Sequence, residues 1–175
     1  MSLYKLDIKI RLIPTKTWEE TLNFSKEKKC DILSFLNETP KRKEWLNFTN
    51  PIFEDPNVIV GRNEFDNIED LSKLQNKTIA IPKGTAMYER FEKDFPNLII
   101  IPVETENEAF SLVENKKADM TVRSLIIAAY TIKKENLFNL KILAKPLEYK
   151  NQLRIGVIKE EPILVNILNK GIKNI

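Results

Sequence analysis

At 175 residues the chain has room for one large domain or two small lobes. Charged residues make up 30% but nearly cancel at +3, and the densest basic run, Pro40-Lys41-Arg42-Lys43, meets Glu44 at once, so a nucleic-acid surface is not expected. Histidine is absent and Cys30 is the single cysteine, which removes the commonest general base and metal ligand, any intramolecular disulfide and any Cys-rich zinc site; no metal or cofactor is expected.

The start, Met1-Ser2-Leu3-Tyr4-Lys5, has no signal-peptide apolar region. No apolar run approaches the ~20 residues that span a bilayer. Either a cytosolic protein or a fragment excised from a longer one is expected, with any membrane attachment through flanking segments. Ile10–Ile13 reads as a strand stopped by Pro14. Thr17-x-x-Glu20 is a capping box that opens a helix, with Trp18, Thr21, Leu22 and Ser25 on one face and Lys28-Lys29 at its end. Cys30 reads as a small buried apolar residue at the start of a strand, Ile32-Leu33-Ser34. Thr39-Pro40 supplies the N-cap and first position of a short helix from Pro40 to about Leu46. Val58–Gly61 is a strand expected to leave the first lobe, and Ile68–Leu74 a short helix or turn. Thr78–Ile81 is a buried strand that runs through Pro82-Lys83-Gly84-Thr85 into a helix, Ala86 to Asp94.

The next stretch repeats the first. Leu98–Thr121 aligns without a gap on Ile10–Leu33 at an offset of 88, with identities at Ile13/Ile101, Pro14/Pro102, Thr17/Thr105, Glu20/Glu108, Lys28/Lys116, Lys29/Lys117 and Asp31/Asp119. Each copy reads as strand, capped helix, strand, which favours a parallel crossover. Chance alignment of two generic units is the competing reading. A helix from Ser124 to Lys134, strands at Leu140–Ala144 and Leu153–Val157, and a last helix opened by Pro162 complete the chain.

Alternating strands and helices give an α/β fold with mainly parallel sheets flanked by helices. Lobe 1 is placed at residues 1–61 plus 151–175 and lobe 2 at 62–150. The two connecting strands are expected to form a hinge, and the cleft between the lobes to hold a ligand.

The run Thr39-Pro40-Lys41-Arg42-Lys43-Glu44-Trp45-Leu46-Asn47-Phe48-Thr49-Asn50-Pro51 resembles the Thr-x-x-Arg, Phe-Thr/Ser, Pro-aromatic stretch of type 2 periplasmic binding proteins, the family of the polar amino-acid binders. Asn76–Ala80 ahead of Gly84-Thr85, Glu108-Ala109 leading to Lys117-Ala118-Asp119, and Leu153–Val157 before Glu161-Pro162 fit in order. Asp55-Pro56-Asn57-Val58-Ile59-Val60, with Ala129–Ile132 and Leu137–Ile142, is most similar to the flytrap domains of membrane sensor kinases. The resemblance implies a two-lobed Venus flytrap fold whose first lobe lacks the family's opening strand and helix. A second copy of the chain is a candidate to cover the edge so left, as a homodimer.

Arg42 offers a planar fork for a carboxylate, and in the amino-acid binders the matching arginine holds the ligand's α-carboxylate; an exposed helix arginine is the plain alternative. Gly84-Thr85-Ala86 places a glycine turn at a helix N-terminus, which suits an anion and equally suits a simple cap. Asn37 matches a small polar contact of the family or is a turn residue. Ser124 stands where the amino-acid binders carry an aspartate for the ligand's ammonium, so the expected ligand is a small anion, a carboxylate or amino-acid-like molecule without that ammonium. The implied function is a solute-binding sensor domain outside the cytoplasmic membrane, part of a histidine-kinase receptor. A stand-alone binding protein of an ABC amino-acid transporter is the alternative. An enzyme is not expected, although a few members of the fold are dehydratases or flank lytic transglycosylase domains.

Overall fold

The computed structural model describes residues 9–144 and 151–173, which divide into two compact units. One runs to Glu54 and resumes at Gln152; the other is Asp55–Asn151. Among the described residues no helix is long and apolar enough to cross a membrane.

In the first unit, α1 (Trp18–Lys26) precedes β1 (Ile32–Asn37), followed by the short strands β2 (Leu46–Phe48) and β3 (Phe53–Glu54). The second unit begins with β4 (Asn57–Arg62) and β5 (Thr78–Pro82), then α2 (Ala86–Asp94), β6 (Ile99–Val103), α3 (Glu106–Glu114), β7 (Met120–Ser124), α4 (Leu125–Lys134) and β8 (Leu140–Ile142). The chain returns to the first unit with β9 (Gln152–Ile158) and α5 (Pro162–Ile172).

The second sheet has the order β6-β5-β7-β4-β8, with β5 parallel to β6 and β7 and β4 antiparallel to β7 and β8. Strand alternation sends Val58 and Val60 into a core with Phe110, Val113 and Ala128, and Ile59 into another with Ile79, Ile81, Phe91 and Val122. So α3 and α4 cover one face and α2 the other. Strand β4 is paired wholly within this sheet.

In the first sheet β9 is central, antiparallel to β1, β2 and β3, over a core of Leu22, Leu33, Leu36, Leu46 and Ile158. Parallel pairing, expected to predominate, joins β5 to β6 and β7 among the named strands, and the other strand pairs are antiparallel. The strand expected at Ile10–Ile13 is not formed: Ile10 is 59% and Leu12 89% exposed, with no strand assigned there. Its counterpart β6 exists because β5 lies beside it, and none of the described residues plays that part for Ile10–Ile13. The helix expected from Pro40 shrinks to a single 3-10 turn, Arg42–Glu44, because Leu46–Phe48 is drawn into pairing with β9. Thr39 still accepts the Arg42 N–H at 3.2 Å. Cys30, expected buried, is half-buried, and its thiol donates to the Ile32 carbonyl.

The repeat is a repeat of hydrogen bonds. Thr17 Oγ1 accepts from Glu20 N and Thr105 Oγ1 from Glu108 N. In both copies the glutamate reaches back one residue further than a standard capping box, to Lys16 N and Glu104 N. Both helices also end alike. Lys29 N and Lys117 N donate to the Phe24 and Leu112 carbonyls, both at 2.8 Å, around Lys28 and Lys116 at φ 59° and 61°. Left-handed lysine is costly and glycine fits this position without a steric penalty.

Asp119 ties β7 to β5. Burial opposes its charge, but the Thr78 N–H and hydroxyl, at 2.8 and 2.9 Å, and the charges of Lys77 and Arg62 overcome this and hold its carboxyl below the ordinary 3.8. The sign follows: a depressed folded-state pKa adds stability above the unfolded value, and that stability is lost as pH falls through the folded one.

Two outcomes are expected in urea melts. Lys28→Gly and Lys116→Gly should each stabilise the chain by about 0.5–1 kcal/mol, since each relieves a left-handed side chain. Asp119→Asn should cost about 1–3 kcal/mol at neutral pH. That difference should shrink toward zero as pH drops below about 4.

Candidate functional site

The first unit holds the candidates Asn37 and Arg42. Asn37 ends β1, just past a bulge where the register with β9 slips between Leu33 and Leu36 and Phe35 takes φ 56°. Arg42 follows five residues on in the 3-10 turn, and its side chain folds back. Nη1 donates to the Asn37 carbonyl at 2.7 Å, and the guanidinium lies 5.6 Å from the Trp18 ring centroid. Arg42 is only 2% exposed, so it is not the solvated helix arginine of the plain alternative. Glu38 pairs with Lys43 and Arg154 at the surface of the same loop.

The second unit holds the candidates Gly84, Thr85, Ala86 and Ser124. Because β5 and β7 are parallel neighbours, their C-terminal ends fall at one edge of the sheet, with Gly84–Ala86 after one and Ser124 ending the other. Gly84 takes φ 70°, a turn that glycine permits, and releases the chain into α2. Thr85 is the N-cap: its hydroxyl donates to the Pro82 carbonyl at 2.8 Å and accepts from Tyr88 N at 3.2 Å. Ala86 is buried at the first helical position. The positive end of the α2 dipole therefore faces this edge. Cations nearby are matched by acids, Lys83 by Glu104 at 2.8 Å and Arg123 by Glu106.

Two residues beside Ser124, Asp55 and Asn57, were not singled out as site residues from the sequence. Ser124 occupies the N-cap position of α4 but makes no capping bond. The Pro56 carbonyl accepts from Leu125 N at 2.8 Å instead, and the buried Asp55 carboxylate from Ile126 N at 3.1 Å. Asp55-Pro56 signals a turn, but a cap supplied from a distant segment leaves no local pattern. Asn57 follows, 3% exposed and directly opposite Ser124.

A cavity of about 500 Å³ lies elsewhere in this unit, lined by Phe65, Ile68, Leu74, Lys77, Met120 and Leu143. It opens beside Met120, the start of β7, and Ser124 is at the strand's other end. Among the described residues no cluster of three His, Cys, Asp or Glu could hold a metal ion.

The cap argument is testable directly. Thr85→Ala should lower stability by about 1 kcal/mol in thermal melts, with Thr85→Ser retaining most of it.

Known proteins share this architecture. The virulence sensor protein BvgS of Bordetella pertussis is 24% identical over 94% of this chain, which spans 13% of the sensor's length. Membrane-bound lytic murein transglycosylase F of Shewanella baltica is 24% identical over 67% of this chain and 26% of its own. The periplasmic VFT2 domain of Bordetella pertussis BvgS superposes with a TM-score of 0.84 at 23% identity, covering 98% of this chain and 73% of that one. A mutant of ArgBP from T. maritima gives 0.85 at 24% identity with the same coverage. The fold is the two-lobed Venus flytrap of the periplasmic binding proteins. The sequence profile of the bacterial extracellular solute-binding proteins, family 3, matches residues 4–175, and the chain belongs to that family.

Proposed function

We propose that this chain is the extracytoplasmic solute-binding sensor module of a membrane signalling receptor of the histidine-kinase type, and that it takes a small anionic ligand. The observation that carries the ligand class is the absence of any carboxylate among the candidate contacts. Arg42 with Asn37 are what the first unit offers, and Gly84, Thr85, Ala86 and Ser124 what the second offers: a guanidinium, a helix N-terminus and neutral polar groups. The buried acid among the described residues, Asp55, is already engaged by Ile126 N. A carboxylate gains opposite charge from such a set, and an ammonium finds no charge partner. The sensor role is supported by the alignment with BvgS over 94% of this chain. A second reading, a stand-alone binding protein of an ABC amino-acid transporter, draws on an equally good superposition, a TM-score of 0.86 at 21% identity, with an ancestral arginine-binding protein bound to arginine.

The module itself performs no chemistry in this reading. Its output is a shift between conformations, and a ligand can move that balance only through its differential affinity for them.

Thermal melts against monocarboxylates, dicarboxylates and amino acids test the proposal, since a compound that binds the native state raises the midpoint by mass action. A carboxylate lacking an α-ammonium should raise it and arginine should not. Arg42→Lys should abolish the response while keeping the charge, because a lysine ammonium has no bidentate fork. Arg42→Ala should in addition cost about 1–3 kcal/mol without ligand, through loss of the bond to the Asn37 carbonyl. A strong response to arginine and none to carboxylates would refute the anionic reading and favour the transporter-type alternative.

A further inference from the structure

We propose that Asn57 and Ser124 together form an oxygen-reading subsite of the second unit, with Asn57 the specificity-determining residue; this rests on the solute-binding reading above. Asn57 begins β4 and Ser124 ends β7, and the two are directly opposed across the antiparallel ladder. Opposed residues on such neighbours carry their side chains on the same face, about 5 Å apart at Cβ. That face is defined by Ile59 and Val122, two residues along each strand, which share a core with Phe91 of α2. It is the face that α2 covers, and Gly84–Ala86 lead into this helix.

Both side chains are in an unusual position. Asn57 is 3% exposed, and its Nδ2 is buried without a hydrogen-bond partner. Ser124 is 8% exposed and makes no capping bond, and Asp55 has taken the Ile126 N–H, one of the two that an N-cap serine would serve. A buried amide donor left unmade is expensive, and native structures hold few of them. The strand position could be filled by an apolar residue, as it is at Val58, Ile59 and Val60, which are almost wholly buried. An asparagine whose buried Nδ2 makes no hydrogen bond within the fold is suited to an acceptor that arrives from outside.

The chemistry of the pair sets the class of that acceptor. The amide nitrogen only donates, and the serine hydroxyl can rotate to donate as well. An amide donor beside a hydroxyl on the same face takes a carboxylate or carbonyl oxygen. A ligand that presented an ammonium to Nδ2 would set a donor against a donor and leave the buried amide unmatched, which is how a polar site rejects an analogue. Asn57 thus discriminates for an oxygen where an acid at position 124 would discriminate for an amine.

The test pairs a ligand-free measurement with a binding one. Asn57→Leu keeps the side-chain volume and removes the donor. If Asn57 is held for a ligand, the urea midpoint of the unliganded variant should equal or exceed that of the wild type; a lower midpoint would mean a structural asparagine and overturn the proposal. Acetate is then titrated into ¹⁵N-labelled protein, with the Asn57 side-chain amide signals identified by their loss in Asn57→Leu. Movement of those signals on addition of acetate supports the subsite, and their indifference overturns it. For any carboxylate that raises the wild-type midpoint, Asn57→Leu should bind roughly 10-fold or more weakly. Asn57→Asp, which replaces the donor by an acceptor, should weaken the same acid at least as much. Failure of every carboxylate to shift the wild type would count against the solute reading alone, since the urea midpoint and the acetate titration judge Asn57 separately.

Discussion

The edge that carries Gly84, Thr85, Ala86 and Ser124 depends on the register of two parallel strands, and one carboxylate fixes that register. Asp119 accepts the Thr78 main-chain and hydroxyl protons, and its own N–H donates to Thr78 at 2.8 Å to Oγ1. The clasp closes the start of β5 against the start of β7. Five residues later the same two strands release the glycine turn and the serine. A slip of one residue would turn every side chain of β7 to the other face. Ser124 would then leave the side that α2 covers. The clasp thus sets the donors from the far end of the sheet.

Much of this was legible from residue types whose effect is local. The capping threonines Thr17 and Thr105, the glycine at Gly84 and the proline at Pro162 mark helix boundaries by chemistry that needs no distant partner. The boundaries of α2 and the start of α5 follow from them. The internal repeat carried further than expected, because the offset that aligns the residues also aligns the left-handed lysines and the carbonyls they close on. What failed was whatever depends on a neighbouring strand. Ile10–Ile13 has the composition of its counterpart Ile99–Val103 but not its partner, and Leu46–Phe48 leaves a helical pattern to join β9.

The site was half legible for the same reason. Arg42 and Thr85 announce themselves by side chain and spacing. Asn57 does not, since its meaning comes only from the residue opposite it and from a cap that Asp55 supplies across 71 positions of sequence. The cap matters twice, because it steadies α4 and leaves the serine at position 124 without the usual task of an N-cap serine. Two acids therefore shape the surroundings of a site that contains none.

The order in which the chain is made gives the arrangement of β9 another meaning. The unit Asp55–Asn151 is one continuous stretch whose ends meet, Asp55 N donating to the Asn151 carbonyl at 3.2 Å. All of its pairings are available as soon as that stretch has been synthesised. The first sheet has no such autonomy: β1, β2 and β3 each pair with β9, and β9 is not complete until Ile158 has been added. A ribosome-bound chain that stops short of Gln152 carries a sheet's three outer strands with no central one. The segment that carries β1, β2 and β3 emerges before the second unit yet finds its partner after it, and its strands wait through some hundred residues of translation.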